Sequence, residues 1–317
     1  MTDWRPSAPF GALLRRARLQ AGIRAFFAAR DVLEIDVPAL GRAGVTDVHI
    51  DNLVVAGEPP AYLQSSPEYF LKRLLAVHPE SIYYLGKAFR AGERGRLHNP
   101  EFTLLEWYRP GWDDHTLMDE VEALLRDLGA ASAAPCPRLD YGTCFRDALG
   151  VDPHSADDIR LRTLAAEAAG QPELSWRDEP RAICLDLLFS LRVEPRLPAG
   201  IVFVTDYPVC QAALARVVDT ADGVPVARRF EVFLNRVELA NGYWELTDAE
   251  EQRRRFAVDA ELRRVLDKPV RPADERLLAA LDAGLPACAG VALGVDRLLM
   301  QLLGASHIRE VLAFAEG

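Results

Sequence analysis

A chain of 317 residues, 50% apolar and 26% charged, has room for two ordinary domains or one large catalytic one and has the composition of a soluble globular enzyme. A net charge of −10 argues against a broad nonspecific grip on nucleic acid, whose phosphates attract a basic footprint, and leaves only local basic patches. No apolar run reaches membrane-spanning length and the opening Met1–Pro6 has no apolar signal core. The five cysteines, an odd number without a Cys-x-x-Cys pair, read as reduced, so a cytoplasmic protein with no membrane partner is expected.

Apolar residues at Leu14, Leu19, Ile23, Phe26 and Phe27 predict a helix over Leu13 to Arg30 with one buried stripe. Val32 to Val37 alternates as a strand and stops at Pro38, which cannot donate to a ladder. Helix and strand together fit a dimer-forming element and plain core alike. Residues 44–60 read as loop and short strand. A strand from Ala61 then meets a Ser66-Pro67-Glu68 turn, and Glu68 to Ala76 continues as helix, with proline suited to the start and Ser66 placed to cap it. Glu68 is equally a first-turn carboxylate favoured by the helix dipole or a functional acid.

Phe89 to Tyr108 reads as strand, turn, strand. Two glycines and four ionisable residues between Arg90 and Glu101 make a loop that cannot be core, and Glu101 to Tyr108 returns with β-formers on alternating faces. Its arginines, polar groups and aromatics suit a polyphosphate, a planar base and an ammonium, although an exposed charged hairpin has the same composition. A helix follows over Thr116 to Leu128, closed by Gly129 and an Ala/Pro stretch. Residues 130–200 change composition, with Pro-rich joints and two amphipathic helices, one from Ala156 to Ala169 with Ser155 as N-cap and Gly170 beyond it. This segment reads as an insertion or subdomain without assignable chemistry.

Ile201 to Val204 is a short buried strand, and Phe230 to Leu234 with Val237 to Ala240 reads as a hairpin turning at Asn235-Arg236. Glu231 and Glu238 then lie on adjacent strands, where two carboxylates can share a hard cation such as Mg²⁺ and would otherwise repel. Asn241 to Leu246 adds another strand carboxylate, Glu245. Thr247 to Glu250 forms a capping box for a helix reaching about Leu266, whose Arg253, Arg254 and Arg255 pair with its own Glu250 and Glu251. Finally, a buried strand from Gly290 enters a helix at Gly294, with Arg297 in its first turn. A cation is disfavoured there unless an anion is bound.

Phe89-Arg90 through Tyr108, Glu238 through Leu246 and Gly290 through Arg297 resemble the second and third signature motifs of class II aminoacyl-tRNA synthetases, with Leu33 to Pro38 as the first. The lysyl branch is most similar, through His98-Asn99-Pro100-Glu101-Phe102-Thr103 and Asn241-Gly242 followed by Glu245-Leu246. The front end is too short for the anticodon-reading OB-fold of that branch. Trp4 to Ala8, Ser66 to Tyr69 and Leu105 to Pro110 look instead like the stand-alone lysyl-synthetase paralogues that attach (R)-β-lysine to a lysine of elongation factor P.

The resemblance implies an α+β class II catalytic fold over 1–317, with an antiparallel six- to seven-stranded sheet flanked by helices, in a homodimer whose interface includes Pro38. It implies ATP as co-substrate, Mg²⁺, (R)-β-lysine and elongation factor P as partners, and no stable tRNA binding. Arg90 and Arg297 are then the catalytic cations. Arg90 would hold the α-phosphate, Phe102 and Arg297 would sandwich the adenine, and His98, Asn99, Glu238, Leu239 and Gly294 would complete the ATP contacts. Glu231 and Glu238 would hold Mg²⁺. Ser66, Glu68, Glu106, Tyr108, Asn241, Glu245 and Ala292 would line the amino-acid pocket. Gly92 stands where lysyl synthetases carry the adenine-reading glutamate, so Glu93 is the candidate replacement. Ala292 stands where they carry a glycine, which suits a β-amino acid.

The residue types agree with the chemistry. A carboxylate attacking a phosphorus needs alignment and cations rather than a general base. Three carboxylates with only a tyrosine and an asparagine are unbalanced unless the ligand brings more than one ammonium. Charging of a small RNA or free amine, and a non-catalytic synthetase-derived sensor, are the competing readings.

Overall fold

The computed structural model describes residues 4–130 and 135–315. Met1–Asp3 of the opening and residues 131–134 of the Ala/Pro stretch lie outside the described residues, as do Glu316 and Gly317. The chain divides into two compact units, one taking in residues 4–130 and 245–315, the other 135–244.

The first unit opens with α1 (Phe10–Ala28), β1 (Leu33–Glu34), β2 (Leu40–Gly41), β3 (Val54–Val55), β4 (Ala61–Leu63), α2 (Glu68–Leu75), β5 (Ile82–Phe89), β6 (Glu101–Pro110) and α3 (Asp114–Asp127). The second carries β7 (Arg138–Asp140), α4 (Tyr141–Leu149), α5 (Asp158–Ala169), α6 (Arg181–Leu188), β8 (Ile201–Pro208), β9 (Val217–Asp219), β10 (Pro225–Leu234) and β11 (Val237–Trp244). The first unit resumes with α7 (Ala249–Val265), α8 (Glu275–Gly284), β12 (Cys288–Gly294) and α9 (Val295–Leu303).

In the first unit, β5, β6 and β12 form an antiparallel sheet with β6 in the middle, and β1 joins β5 in parallel. Helix α1 buries Leu19, Ile23, Phe26 and Phe27 of the predicted stripe but leaves Leu14 exposed, and Phe27 stacks on Tyr83 of β5 at 4.6 Å. Strand β1 is shorter than the alternation of Val32 to Val37 suggests, although the Ile35 amide still donates to the Tyr83 carbonyl at 2.7 Å. β2, β4 and β3 form a small separate sheet.

In the second unit, β10 lies between β8 and β11, with β9 along its outer end and β7 parallel to β8. Asn235 and Arg236 both have positive φ, 52° and 68°, the twist a two-residue hairpin turn requires. Tyr141, Phe145, Leu161, Leu188 and Phe233 belong to this unit's core.

Both units are α+β. Apart from the small β2–β4–β3 sheet, four sheet strands lie in the first unit and five in the second among the described residues, against the six to seven expected, and the pairings are mixed rather than purely antiparallel. The excess includes β7 and β9, three residues each, too short for a two-residue period to register. Three helices, not two, precede residue 200 in the second unit, and Asp157 rather than Ser155 caps α5, accepting from the Arg160 amide. Asp248 rather than Thr247 caps α7, because its carboxylate reaches the Glu250 and Glu251 amides.

Candidate active site

The middle strand of the first unit's sheet carries the amino-acid side. Glu106 and Tyr108 are two apart on β6 and point to the same face, where the Tyr108 hydroxyl donates to Glu106 Oε1 at 2.7 Å. Ser66, just before α2, donates its hydroxyl to Glu106 Oε2 at 2.7 Å and accepts the Glu68 amide at 3.0 Å. One serine therefore caps the helix and fixes the acid. Proline at 67 occupies the cap position itself, one residue before the first helical turn.

The predicted acids Glu68, Glu106 and Glu245 come together here, and so does a cation that the sequence reading left out. Lys72 Nζ lies 2.6 Å from Glu68 and 2.6 Å from Glu245, with the lysine and Glu245 side chains almost wholly buried. Its ammonium is held strongly charged because burial, which disfavours the charge, is outweighed by both carboxylates. The expectation of three acids balanced only by a tyrosine and an asparagine is thereby corrected. The signal was present: Lys72 stands four residues after Glu68 on one helix face.

Burial pushes the Glu106 carboxyl up to about 8, reinforced by Glu68 and Glu245 and opposed by the hydrogen bonds from Ser66 and Tyr108. Behind it, Ala292 lies directly opposite Glu106 and Gly290 opposite Tyr108 in the β6–β12 register. A Cβ on Gly290 would fall 2.3 Å from the Tyr108 ring and 2.5 Å from Glu245 Oε1, so this glycine is needed for close approach. A cleft lined in part by Tyr62, Gln64, Ser66, Glu68 and Phe70 borders this floor.

The nucleotide side lies at the ends of β5 and β6 and the start of α9. The Arg90 guanidinium sits 5.1 Å over the Phe102 ring and 3.5 Å from Glu93. Gly92 has φ of +77°, a conformation in which a glutamate would be strained; the next residue, Glu93, is the acid that reaches Arg90. His98 Nε2 and Arg297 Nη2 meet at 2.5 Å, and Arg297 also points at the Leu97 carbonyl at 3.4 Å. Asn99 is turned to its own strand, donating to the Glu101 carbonyl at 2.7 Å. Gly294 is the cap of α9 and stands opposite Leu104. Beside Arg297, buried Asp296 accepts the Thr103 amide at 2.7 Å and pairs with Arg16 of α1, which also donates to the Val311 carbonyl at 2.8 Å. Arg16 and Asp296 thus tether α9 to β6, a connection between distant chain positions that no local pattern announced.

In the second unit, Glu231 and Glu238 lie on neighbouring strands, but a bulge between Val232 and Phe233 offsets them: Glu231 faces Asn241 and Glu238 faces Phe233. Arg229 pairs with Glu231 at 2.5 Å, so this acid has a protein cation in addition to any metal. Its carboxyl is pushed up to about 7, by burial first and by Glu238, against the pull of Arg229. Two hard oxygen donors that repel each other suit Mg²⁺. Among the described residues no three His, Cys, Asp or Glu side chains gather as a metal site. Asn241 accepts from Arg229 at 3.2 Å and donates to Tyr243 at 2.8 Å, and Leu239 is buried.

No helix among the described residues is long and apolar enough to cross a membrane. The Arg253 to Arg255 side chains of α7 pair with Glu250, Glu251 and Asp282, a self-neutralised surface as expected.

Compared with known proteins, residues 2–317 match the family described as tRNA synthetases class II (D, K and N). The chain is 45% identical over 324 residues to the elongation factor P–(R)-beta-lysine ligase of Proteus mirabilis, covering 99% of this chain and 98% of that protein. It is 46% identical over 326 residues to the protein of that name from Yersinia enterocolitica, and 46% over 324 residues to that from Vibrio cholerae, each with 99% and 98% covered.

Proposed function

This chain belongs to the class II tRNA synthetase family (D, K and N), and from that membership we propose that it is an ATP-dependent, AMP-forming ligase that activates (R)-β-lysine and transfers it to a lysine of elongation factor P. The observation that carries the reading is the buried floor of Glu68, Glu106 and Glu245, preformed by Ser66, Tyr108 and Lys72 to receive ammonium groups.

In the first step a carboxylate oxygen of the amino acid bonds to the α-phosphorus and pyrophosphate leaves. Arg90 and Arg297 align the phosphates and oppose the developing negative charge. Phe102 offers its ring to adenine, with Arg297 on the other face, and His98, Asn99, Glu93 and Gly294 line the nucleotide. In the second unit, Glu231 and Glu238 are the Mg²⁺ ligands, with Leu239 and Asn241 as ATP and amino-acid contacts. Bound there, Mg²⁺ supplies positive charge against phosphate oxygens. In the second step the acceptor amine bonds to the acyl carbon, AMP leaves, and the amine loses a proton. Freeing that amine at neutral pH costs about 4–5 kcal/mol from its reference pKa.

The whole chain acts as one catalytic domain with 130–200 as an insertion, in the cytoplasm and as a homodimer. Exposed Leu33, Leu40, Val54 and Val55 around β1 to β3, near Pro38, suit that association. Pyrophosphate exchange with (R)-β-lysine, α-lysine and no amino acid tests the activation step, and exchange with no diamino acid would sink the reading. Products offered to elongation factor P or to bulk tRNA then identify the acceptor, and transfer to tRNA alone would favour the RNA-charging alternative.

A further inference from the structure

The pocket floor treats its three acids unequally. Glu68 and Glu245 share the Lys72 ammonium at 2.6 Å each, whereas Glu106 is held by two hydroxyls. The groups around Glu106 are Ser66 ahead of α2, Glu68 on α2, Tyr84 on β5, Tyr108 on β6 and Glu245 after β11; from β12 it meets only Ala292 in register. Lys72 faces Glu68 on its own helix and Glu245 across from it.

We propose that Lys72 is a positioning residue for amino-acid recognition: its buried ammonium bridges Glu68 and Glu245 and holds this pair correctly placed to accept a substrate ammonium. Glu106 serves as the internal comparison. It is buried like Glu245, receives hydroxyls instead of a cation, and burial pushes its carboxyl up to about 8. An acid with no counter-charge at this depth takes a proton and loses most of its hold on an ammonium. Lys72 supplies a counter-charge to two acids of the three. The inference rests on the diamino-acid reading of the pocket.

Two outcomes have opposite signs. If Lys72 merely competed with substrate for the carboxylates, Lys72→Met would lower the KM for the amino acid. If it holds the acids charged, Lys72→Met raises that KM at least tenfold at pH 7, with the defect shrinking toward pH 9 and the KM for ATP unchanged. Lys72→Arg, which keeps the charge, should stay within threefold of the native enzyme. An unchanged or lowered KM in Lys72→Met overturns the proposal, as does a raised KM that pH does not relieve and arginine does not rescue.

The native enzyme supplies a check that needs no variant. From pH 6 toward 8 the KM for the diamino acid should fall by no more than one unit in log KM per pH unit as Glu106 loses its proton, with the KM for ATP followed alongside to separate the titration of Glu231. A slope of two means a second acid titrates and Lys72 does not hold the pair. Native enzyme that exchanges with no diamino acid overturns the functional reading and this inference together, whereas diamino-dependent exchange with an unaltered Lys72→Met variant overturns this inference alone.

Discussion

The two sides of the first unit's site are built on opposite plans. On the amino-acid side the acids and the lysine are already engaged and, except for partly buried Glu68, buried: Lys72 with two carboxylates, Glu106 with two hydroxyls. On the nucleotide side Arg90, Glu93 and Arg297 are only partly buried, and they pair with one another or with loop groups, Arg90 with Glu93 and Arg297 with His98 and the Leu97 carbonyl. The difference follows from what each side receives. ATP brings several negative charges of its own and is met by cations that remain solvated until it arrives. An ammonium ligand is smaller and must be recognised by acids taken out of water, which persist only where the fold compensates them.

The sharpest way to break the contrast is Arg297→Ala. Loss of one cation aimed at developing charge costs on the order of 10²–10³-fold in catalysis, so pyrophosphate exchange should fall by that factor while the melting temperature holds. Retained exchange would mean the nucleotide site is misplaced. Next, Glu106→Gln, compared at pH 9 where the native carboxyl has lost its proton, removes a buried charged partner and keeps its shape. The KM for the amino acid should rise about 10- to 100-fold, from the 1.5–3 kcal/mol such a bond contributes, with the KM for ATP unmoved. A parallel rise in both constants would show that the two sides are not separable.

A smaller effect is expected at Ala292, opposite Glu106 on the neighbouring strand. Ala292→Gly should shift the ratio of α-lysine to β-lysine use by roughly tenfold, since one methyl discriminates by about 1–3 kcal/mol. An unchanged ratio removes Ala292 from the specificity of the pocket. The smallest effect is on stability. The Glu106 and Glu231 carboxyls sit at about 8 and about 7, above their ordinary 4.5, so the folded protein holds protons that the unfolded chain has released. Their contribution therefore weakens as pH rises from 4.5 through these values. Melting without ligand should drop by a few degrees between pH 6 and 8.5, and Glu106→Gln should flatten the curve. A curve that rises over this range would contradict the burial of these acids.

Much of the fold was legible one element at a time. The α1 stripe, the β5–β6 hairpin and the strand-to-helix passage at Gly294 all follow from short-range periodicity and turn residues, which the backbone obeys locally. Errors gathered where competing polar residues sit side by side. Asp157 displaced Ser155, and Asp248 displaced Thr247, because either neighbour has the chemistry of a cap and only the path of the chain selects one. The strand offset of Glu231 and Glu238 came from a bulge that leaves no trace in alternation.

By itself, the sequence determined which residues were available and in what order: the arginines at 90 and 297, the acids at 68, 106 and 245, and the family that their motifs mark. Tertiary structure alone decided how those charges are settled. It set Lys72 between acids from separate parts of the chain, tied Arg16 to Asp296 beside the nucleotide arginine, and closed Gly290 against Tyr108 and Glu245. Periodicity is a property of neighbours a few residues apart, whereas the compensation of a buried charge depends on whichever distant group packing brings within reach.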